Sequence, residues 1–60
     1  MVTVGRVYNM LAEIAKRKGG DEEASIRYYT RGITMEPLGY FENYTDLGDT
    51  CEAMSFSELS

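Results

Sequence analysis

The chain has 60 residues, a formal net charge of −4, one cysteine and no histidine. A single cysteine excludes an internal disulfide, and the lack of histidine excludes the usual zinc ligand sets and any histidine-activated nucleophile, so we expect no metal, no cofactor and no enzymatic activity. Apolar runs fall far short of the roughly 20 residues of a membrane helix, and no signal-peptide pattern opens the chain, so we expect a cytoplasmic protein without membrane association.

The first predicted helix covers about residues 3–18. Thr3 is a suitable N-cap, the basic triplet at 16–18 suits the carbonyl end of a helix, and Gly19-Gly20 supplies a left-handed stop. Large aliphatic residues recur at helical spacing and predict the buried face of this helix: Val4, Val7, Leu11 and Ile14.

The second predicted helix begins at Asp21, a favourable N-cap, and ends before Pro37. Ile26, Tyr29 and Ile33 follow helical spacing and predict its apolar face. Residues 28–34 are rich in types that favour strands, and Gly32 weakens a helix. A hairpin across residues 25–36, within a small α+β fold, is therefore the alternative.

The third predicted helix covers about residues 40–54. Its predicted buried face carries Tyr40, Tyr44, Leu47, Cys51 and Met54. Because Cys51 belongs to this face, we expect a buried and unreactive thiol. The sequence thus predicts one small all-α domain at residues 1–54, followed by a polar tail at residues 55–60.

One short pattern occurs twice, 36 positions apart, first as Tyr8-x-x-Leu11-Ala12-x-x-Ala15 and then as Tyr44-x-x-Leu47-Gly48-x-x-Cys51. Across residues 8–51 the chain resembles the tetratricopeptide repeat family. The turn at Gly20-Asp21 and the set Ser25, Tyr29, Gly32 and Pro37 resemble the turn and second helix of one unit.

The resemblance implies a three-helix arrangement, in which a helix-turn-helix unit is followed by the first helix of a second unit. A generic three-helix bundle with the same apolar stripes is the alternative. Only about one and a half units are present, whereas such arrays need about three to bury a continuous core. We therefore expect self-association or an obligate protein partner.

Charge is divided unevenly along the chain. Residues 1–31 hold all six basic residues and four acidic ones, a net charge of +2, whereas residues 32–60 hold six acidic residues and no basic one, a net charge of −6. This division favours a partner with a basic surface, and it disfavours direct binding to nucleic acid.

The resemblance further implies that the first helices of the units line a groove that takes peptides. The sequence therefore predicts a non-enzymatic protein–protein interaction module, an adaptor or small regulatory subunit, that binds a basic peptide or protein surface. The alternative is a small acidic inhibitor of phage or mobile-element type that blocks a nucleic-acid-binding protein, and an α+β fold would favour it. The candidate partner-binding residues are Arg6, Asn9, Glu13 and Lys16 in the first helix, and Glu42, Thr45, Asp46, Asp49 and Glu52 in the third.

Overall fold

The computed structural model describes the backbone of residues 3–59 and the side chains of residues 3–55. These residues form three helices, α1 (Val4–Arg17), α2 (Glu22–Met35) and α3 (Glu42–Leu59), with no strand among them. The all-α prediction is confirmed, and the hairpin alternative across residues 25–36 is wrong. Among the helices described, none is both long and apolar enough to cross a membrane.

The ends of α1 form as the sequence predicts. The Thr3 hydroxyl accepts a hydrogen bond from the Arg6 backbone N–H at 3.3 Å, which satisfies one of the donors left open at a helix start. The Lys18 N–H closes the last turn on the Ile14 carbonyl. Gly20 then takes a φ of 61°, a left-handed conformation that glycine adopts without strain.

Capping and side-chain hydrogen bonds explain why α2 is a helix despite its strand-favouring residues. The Asp21 carboxylate accepts from the Ala24 N–H at 3.0 Å. Thr30 and Thr34 donate their hydroxyls to the carbonyls four residues earlier, at 2.7 and 2.9 Å, so these threonines are satisfied within a helix. The helix ends at Met35, before Pro37, as predicted.

The third helix begins two residues later than predicted and runs farther, because helical backbone continues through Leu59. The Tyr44 hydroxyl donates to the Pro37 carbonyl at 2.9 Å and fixes the connection between α2 and α3. The side chains of residues 56–60, which make up most of the predicted polar tail, lie outside the described residues.

The second helix packs against both of the others. It runs antiparallel to α1, and the Ser25 hydroxyl donates to the Ala12 carbonyl at 2.8 Å where the two helices are close. Gly32 lies where all three helices meet: a Cβ there would stand 3.1 Å from the Tyr8 Cβ and 2.8 Å from the Asn43 amide nitrogen. The small residues of α2 therefore set how closely the helices approach.

The predicted buried face of α1 is wrong. Val4, Val7 and Ile14 are 47%, 44% and 53% exposed, and Leu11 is also exposed. The helix instead buries a stripe of small and polar residues that faces α2 and α3: Gly5, Asn9 and Ala12. Close approach of three helices is possible over these short side chains, and the large aliphatic residues are left on the outside.

The buried faces of α2 and α3 differ from prediction in the same way. In α2, Tyr29 is fully buried as predicted, but Ser25 and Gly32 are buried with it, and the two isoleucines are only half-buried. In α3, the face that packs on the other helices is centred on Asn43 and Thr50. Three of the predicted residues are half-buried, Leu47 and Met54 in this helix and Tyr40 just before it.

The prediction of a buried thiol is wrong, because Cys51 is exposed. At 100° per residue, Tyr44 and Cys51 lie about a quarter turn from Asn43 around α3. In the part of the chain that the structure describes, neither α1 nor α2 covers that side of the helix, and Tyr44 is 45% exposed.

Candidate interaction surface

A network of hydrogen bonds joins α1 to α3. The Asn9 amide donates to Asn43 Oδ1 at 3.1 Å and to Asp46 Oδ2 at 2.9 Å. The Asn43 amide in turn donates to the Gly5 carbonyl at 2.9 Å. Asn43 has no exposed surface and Asn9 is 7% exposed, so these bonds satisfy polar groups that have been removed from water.

A second cluster lies farther along α1 and α3 and also includes Tyr29 of α2. Lys16 Nζ donates to Thr50 Oγ1 at 3.4 Å and stands 5.6 Å from the centre of the Tyr29 ring, within cation–π range. The Tyr29 hydroxyl donates to Glu13 Oε1 at 3.3 Å. The other oxygen of Glu13 pairs with Arg17 Nε at 2.9 Å. The Glu13 carboxylate of α1 therefore contacts both Tyr29 of α2 and Arg17 one turn later in its own helix.

Burial, and then the negative charges of Glu13 and Asp46, raise the pKa of Tyr29 from 10.0 to about 12. Each of these causes disfavours the phenolate. The Tyr29 hydroxyl therefore remains a hydrogen-bond donor to Glu13 throughout the neutral and mildly alkaline range.

The structure divides the predicted partner-binding residues into two groups. Asn9 and Asp46 bond to each other, and Glu13 and Lys16 are used in the cluster around Tyr29, so these four stabilise the packing of the helices. The other five are exposed: Arg6, Glu42, Thr45, Asp49 and Glu52.

Four of those five form a strip on α3, on the side turned away from Asn43 and Thr50. We call Glu42, Thr45, Asp49 and Glu52 the acidic strip. The sequence of α3 contains no basic residue, and within the described residues the ion pairs involve Glu13 alone among the acids. The three carboxylates of the strip are thus exposed and form no ion pair with the residues that the structure describes.

Apolar side chains flank this strip and also cover the outside of α1. Phe41, next to the start of α3, is 65% exposed. We call the aliphatic stripe of α1 the outer α1 face; it consists of Val4, Val7, Leu11 and Ile14. Exposed apolar groups beside charged ones are typical of surfaces that bind other proteins.

The sequence interpretation missed the residues that hold the three helices together. Asn43 bonds to both Gly5 and Asn9, and the Glu36 carboxylate accepts from the Gly5 N–H at 2.8 Å. A signal for this face does exist in the sequence, because Gly5, Asn9 and Ala12 follow helical spacing as well as the aliphatic residues do.

Comparisons with known proteins give no further guide to the role of this surface. No protein-family model, no curated protein and no solved structure matches the chain.

Proposed function

We propose that this chain is a protein–protein interaction module that binds a basic peptide or a basic protein surface along the acidic strip of α3. One observation carries the proposal: three exposed carboxylates, Glu42, Asp49 and Glu52, share one side of a helix that contains no basic residue. Such a strip attracts positive charge and speeds the encounter with a basic partner.

Charge alone gives little affinity, because an exposed ion pair contributes about 0.2–1 kcal/mol. The bound partner therefore needs apolar contacts as well, and Phe41 offers one at the start of the strip. A peptide that alternates basic and apolar residues fits this combination. The hydrogen bonds of Asn9 with Asn43 and Asp46 fix α3, and with it the strip, against α1.

Peptide binding tests the proposal directly. Fluorescently labelled peptides rich in Lys, Arg and Leu, and matched peptides with Glu in place of the basic residues, are titrated with the protein while anisotropy is measured. We expect binding of the basic set alone, weakening as salt rises. Replacing Glu42→Gln, Asp49→Asn and Glu52→Gln together should weaken binding on the order of tenfold or more.

Glu23→Gln provides the matched control for Asp49→Asn, since each change removes one exposed carboxylate, the first from α2 and the second from the strip. Asp49→Asn should weaken binding more than Glu23→Gln does. Equal binding of the basic and acidic peptides, or unchanged binding by the triple variant with its helical circular dichroism intact, would contradict the proposed function.

The inhibitor hypothesis uses the same carboxylates as substitutes for phosphates. The feature that would favour it, a strand-containing α+β fold, is missing from residues 3–59. A captured partner that is released by a short DNA or RNA oligonucleotide, but not by an unrelated basic peptide, would favour the inhibitor over the adaptor.

A further inference from the structure

The outer α1 face is a continuous apolar surface on the side of α1 turned away from Gly5, Asn9 and Ala12. Val4, Val7 and Ile14 are each close to half exposed, and Leu11 is 38% exposed. Val4 and Ile14 are ten residues apart at a rise of about 1.5 Å each, so this surface is about 15 Å long. Nothing in the described residues covers it.

A second apolar surface lies on α3, beside the acidic strip. We call Tyr44, Gly48 and Cys51 the α3 edge; all three are exposed. A Cβ built on Gly48 would meet no atom within 4 Å. The edge therefore has a shallow notch between two larger side chains, into which a neighbouring helix can place a side chain.

The two surfaces carry opposite charge. Between Val4 and Lys18 there are four basic residues and one acidic residue, a net charge of +3, whereas α3 carries five acidic residues and no basic one, a net charge of −5. The exposed charges nearest to the two surfaces are Arg6, Arg17 and Lys18 on α1, and Asp49 and Glu52 on α3.

We propose that the outer α1 face of one copy of the chain binds the α3 edge of a second copy. Two apolar surfaces that are each a single helix wide, and whose flanking charges are opposite, complement one another. Two outer α1 faces, or two α3 edges, would bring like charges together and repel. Charge complementarity thus selects α1 against α3 over either symmetric pairing.

This arrangement uses different surfaces on the two copies. The pair as a whole keeps one free outer α1 face, on one copy, and one free α3 edge, on the other, so association continues into longer head-to-tail assemblies and does not stop at a dimer. Contact between two single helix faces buries an area at the low end of specific interfaces, so association should be weak and concentration-dependent.

The inference deepens the proposed function, because it names a second copy of the chain as one basic partner of α3. The two ideas can fail separately. The acidic strip is untouched by changes on the outer α1 face, so a variant altered there should still bind the basic peptides described above.

Sedimentation velocity over a wide concentration range tests the assembly. The average mass of the unaltered chain should rise with concentration above 6.8 kDa and fall back when salt is added. Val7→Glu with Ile14→Glu should weaken association on the order of tenfold or more, because two carboxylates replace apolar contacts and face the acids of α3. Met35→Glu, at another exposed apolar residue, is the matched control and should leave association unchanged.

Gly48→Arg with Cys51→Arg alters the opposite surface and should weaken association equally. The fold should tolerate these changes, since Gly48 faces open space and Cys51 is exposed. The decisive measurement mixes the two double variants. One keeps an intact α3 edge and the other an intact outer α1 face, so the mixture should associate under conditions in which neither variant associates alone.

Labelling of Cys51 gives an independent measure. A bulky maleimide should modify this thiol rapidly in dilute solution and at least several-fold more slowly at concentrations where the chain associates, and the modified chain should no longer associate. A chain that stays monomeric at all concentrations would overturn the inference. So would association that survives either double variant, or double variants that are monomeric alone and remain so when mixed.

Discussion

The two copies of the short pattern, at residues 8–15 and 44–51, differ in how far they are buried. In the first copy, Ala12 has no exposed surface and lies against Ser25 of α2, with Tyr8 half-buried beside it. In the second copy, Tyr44 is 45% exposed and Gly48 faces open space, although the leucines of the two copies reverse this order. The pattern marks a helix face that can be buried; whether it is buried depends on another helix lying against it.

The first copy also shows how the three helices are held together. Among the described residues, the fully buried apolar side chains are Ala12 and Tyr29 alone, and several of the large aliphatic residues remain exposed. The contacts between helices rest instead on short side chains that allow close approach, and on hydrogen bonds that satisfy buried polar groups. We therefore expect the contacts around Asn43, where the three helices meet, to contribute most to the stability of the fold.

The largest expected effect comes from removing that junction. Asn43→Ala leaves a cavity and deprives the Gly5 carbonyl and the Asn9 amide of a partner, which should lower the free energy of unfolding by about 2–4 kcal/mol. A domain of this size has about 3–9 kcal/mol in total, so the loss is severe. Urea unfolding followed by circular dichroism measures it.

Thr45→Ala is the control for this change, because Thr45 lies two residues away on the exposed side of α3. It should alter the free energy of unfolding by no more than about 0.5 kcal/mol. Equal losses for the two variants would contradict the prediction, because they would show that the hydrogen bonds of Asn43 to α1 add no stability of their own.

The next effect in size concerns the two glycines in the middle of helices, which should respond with opposite signs. Gly48→Ala should raise the free energy of unfolding by about 1 kcal/mol, since alanine is the better helix former and the added methyl meets no atom. Gly32→Ala should lower it by about 1–3 kcal/mol, because its methyl would stand 2.8 Å from the amide nitrogen of Asn43, a side chain that two hydrogen bonds hold in place.

Thermal unfolding of the two variants side by side measures the difference. Stabilisation by both substitutions would mean that the junction relaxes to admit a methyl group, and the contrast between the covered and uncovered copies of the pattern would then be smaller than the structure indicates.

Local features of the sequence predict the helices well. Thr3, Asp21 and Gly20 act within a turn of their own positions, so the starts of α1 and α2 and the stop after α1 follow from them without knowledge of the rest of the fold. The end of α3 was harder to predict, because no glycine or proline follows residue 54 to stop the helix.

The buried faces could not be predicted in this way. Reading the largest apolar residues as the core assumes that hydrophobic area decides which side of a helix is covered. In α1 the buried side is the one that lets α2 and α3 come close, and only the stripe of Gly5, Asn9 and Ala12 is short enough for that. Likewise, the bond between Asn9 and Asp46 depends on the register of α3 against α1, 37 residues away in the chain, and no local pattern encodes that register.

The smallest effect is at Tyr29, where the covered part of α1 meets α2. Tyr29→Phe removes the hydroxyl's bond to Glu13 and should lower the free energy of unfolding by about 0.5–1.5 kcal/mol at neutral pH. Because the fold raises the pKa of Tyr29 from 10.0 to about 12, the unfolded chain loses this proton first as pH rises. The stabilisation is therefore complete below pH 10 and declines between about pH 10 and pH 12.

Urea midpoints measured from pH 8 to pH 12 isolate this contribution when the unaltered chain is compared with Tyr29→Phe. The two curves should converge as pH rises, because the phenylalanine variant has no proton to lose at this position. Parallel curves would mean that the Tyr29 hydroxyl titrates alike in the folded and unfolded chains, so that the contact with Glu13 would be open to water and the covered copy of the pattern less protected than its burial indicates.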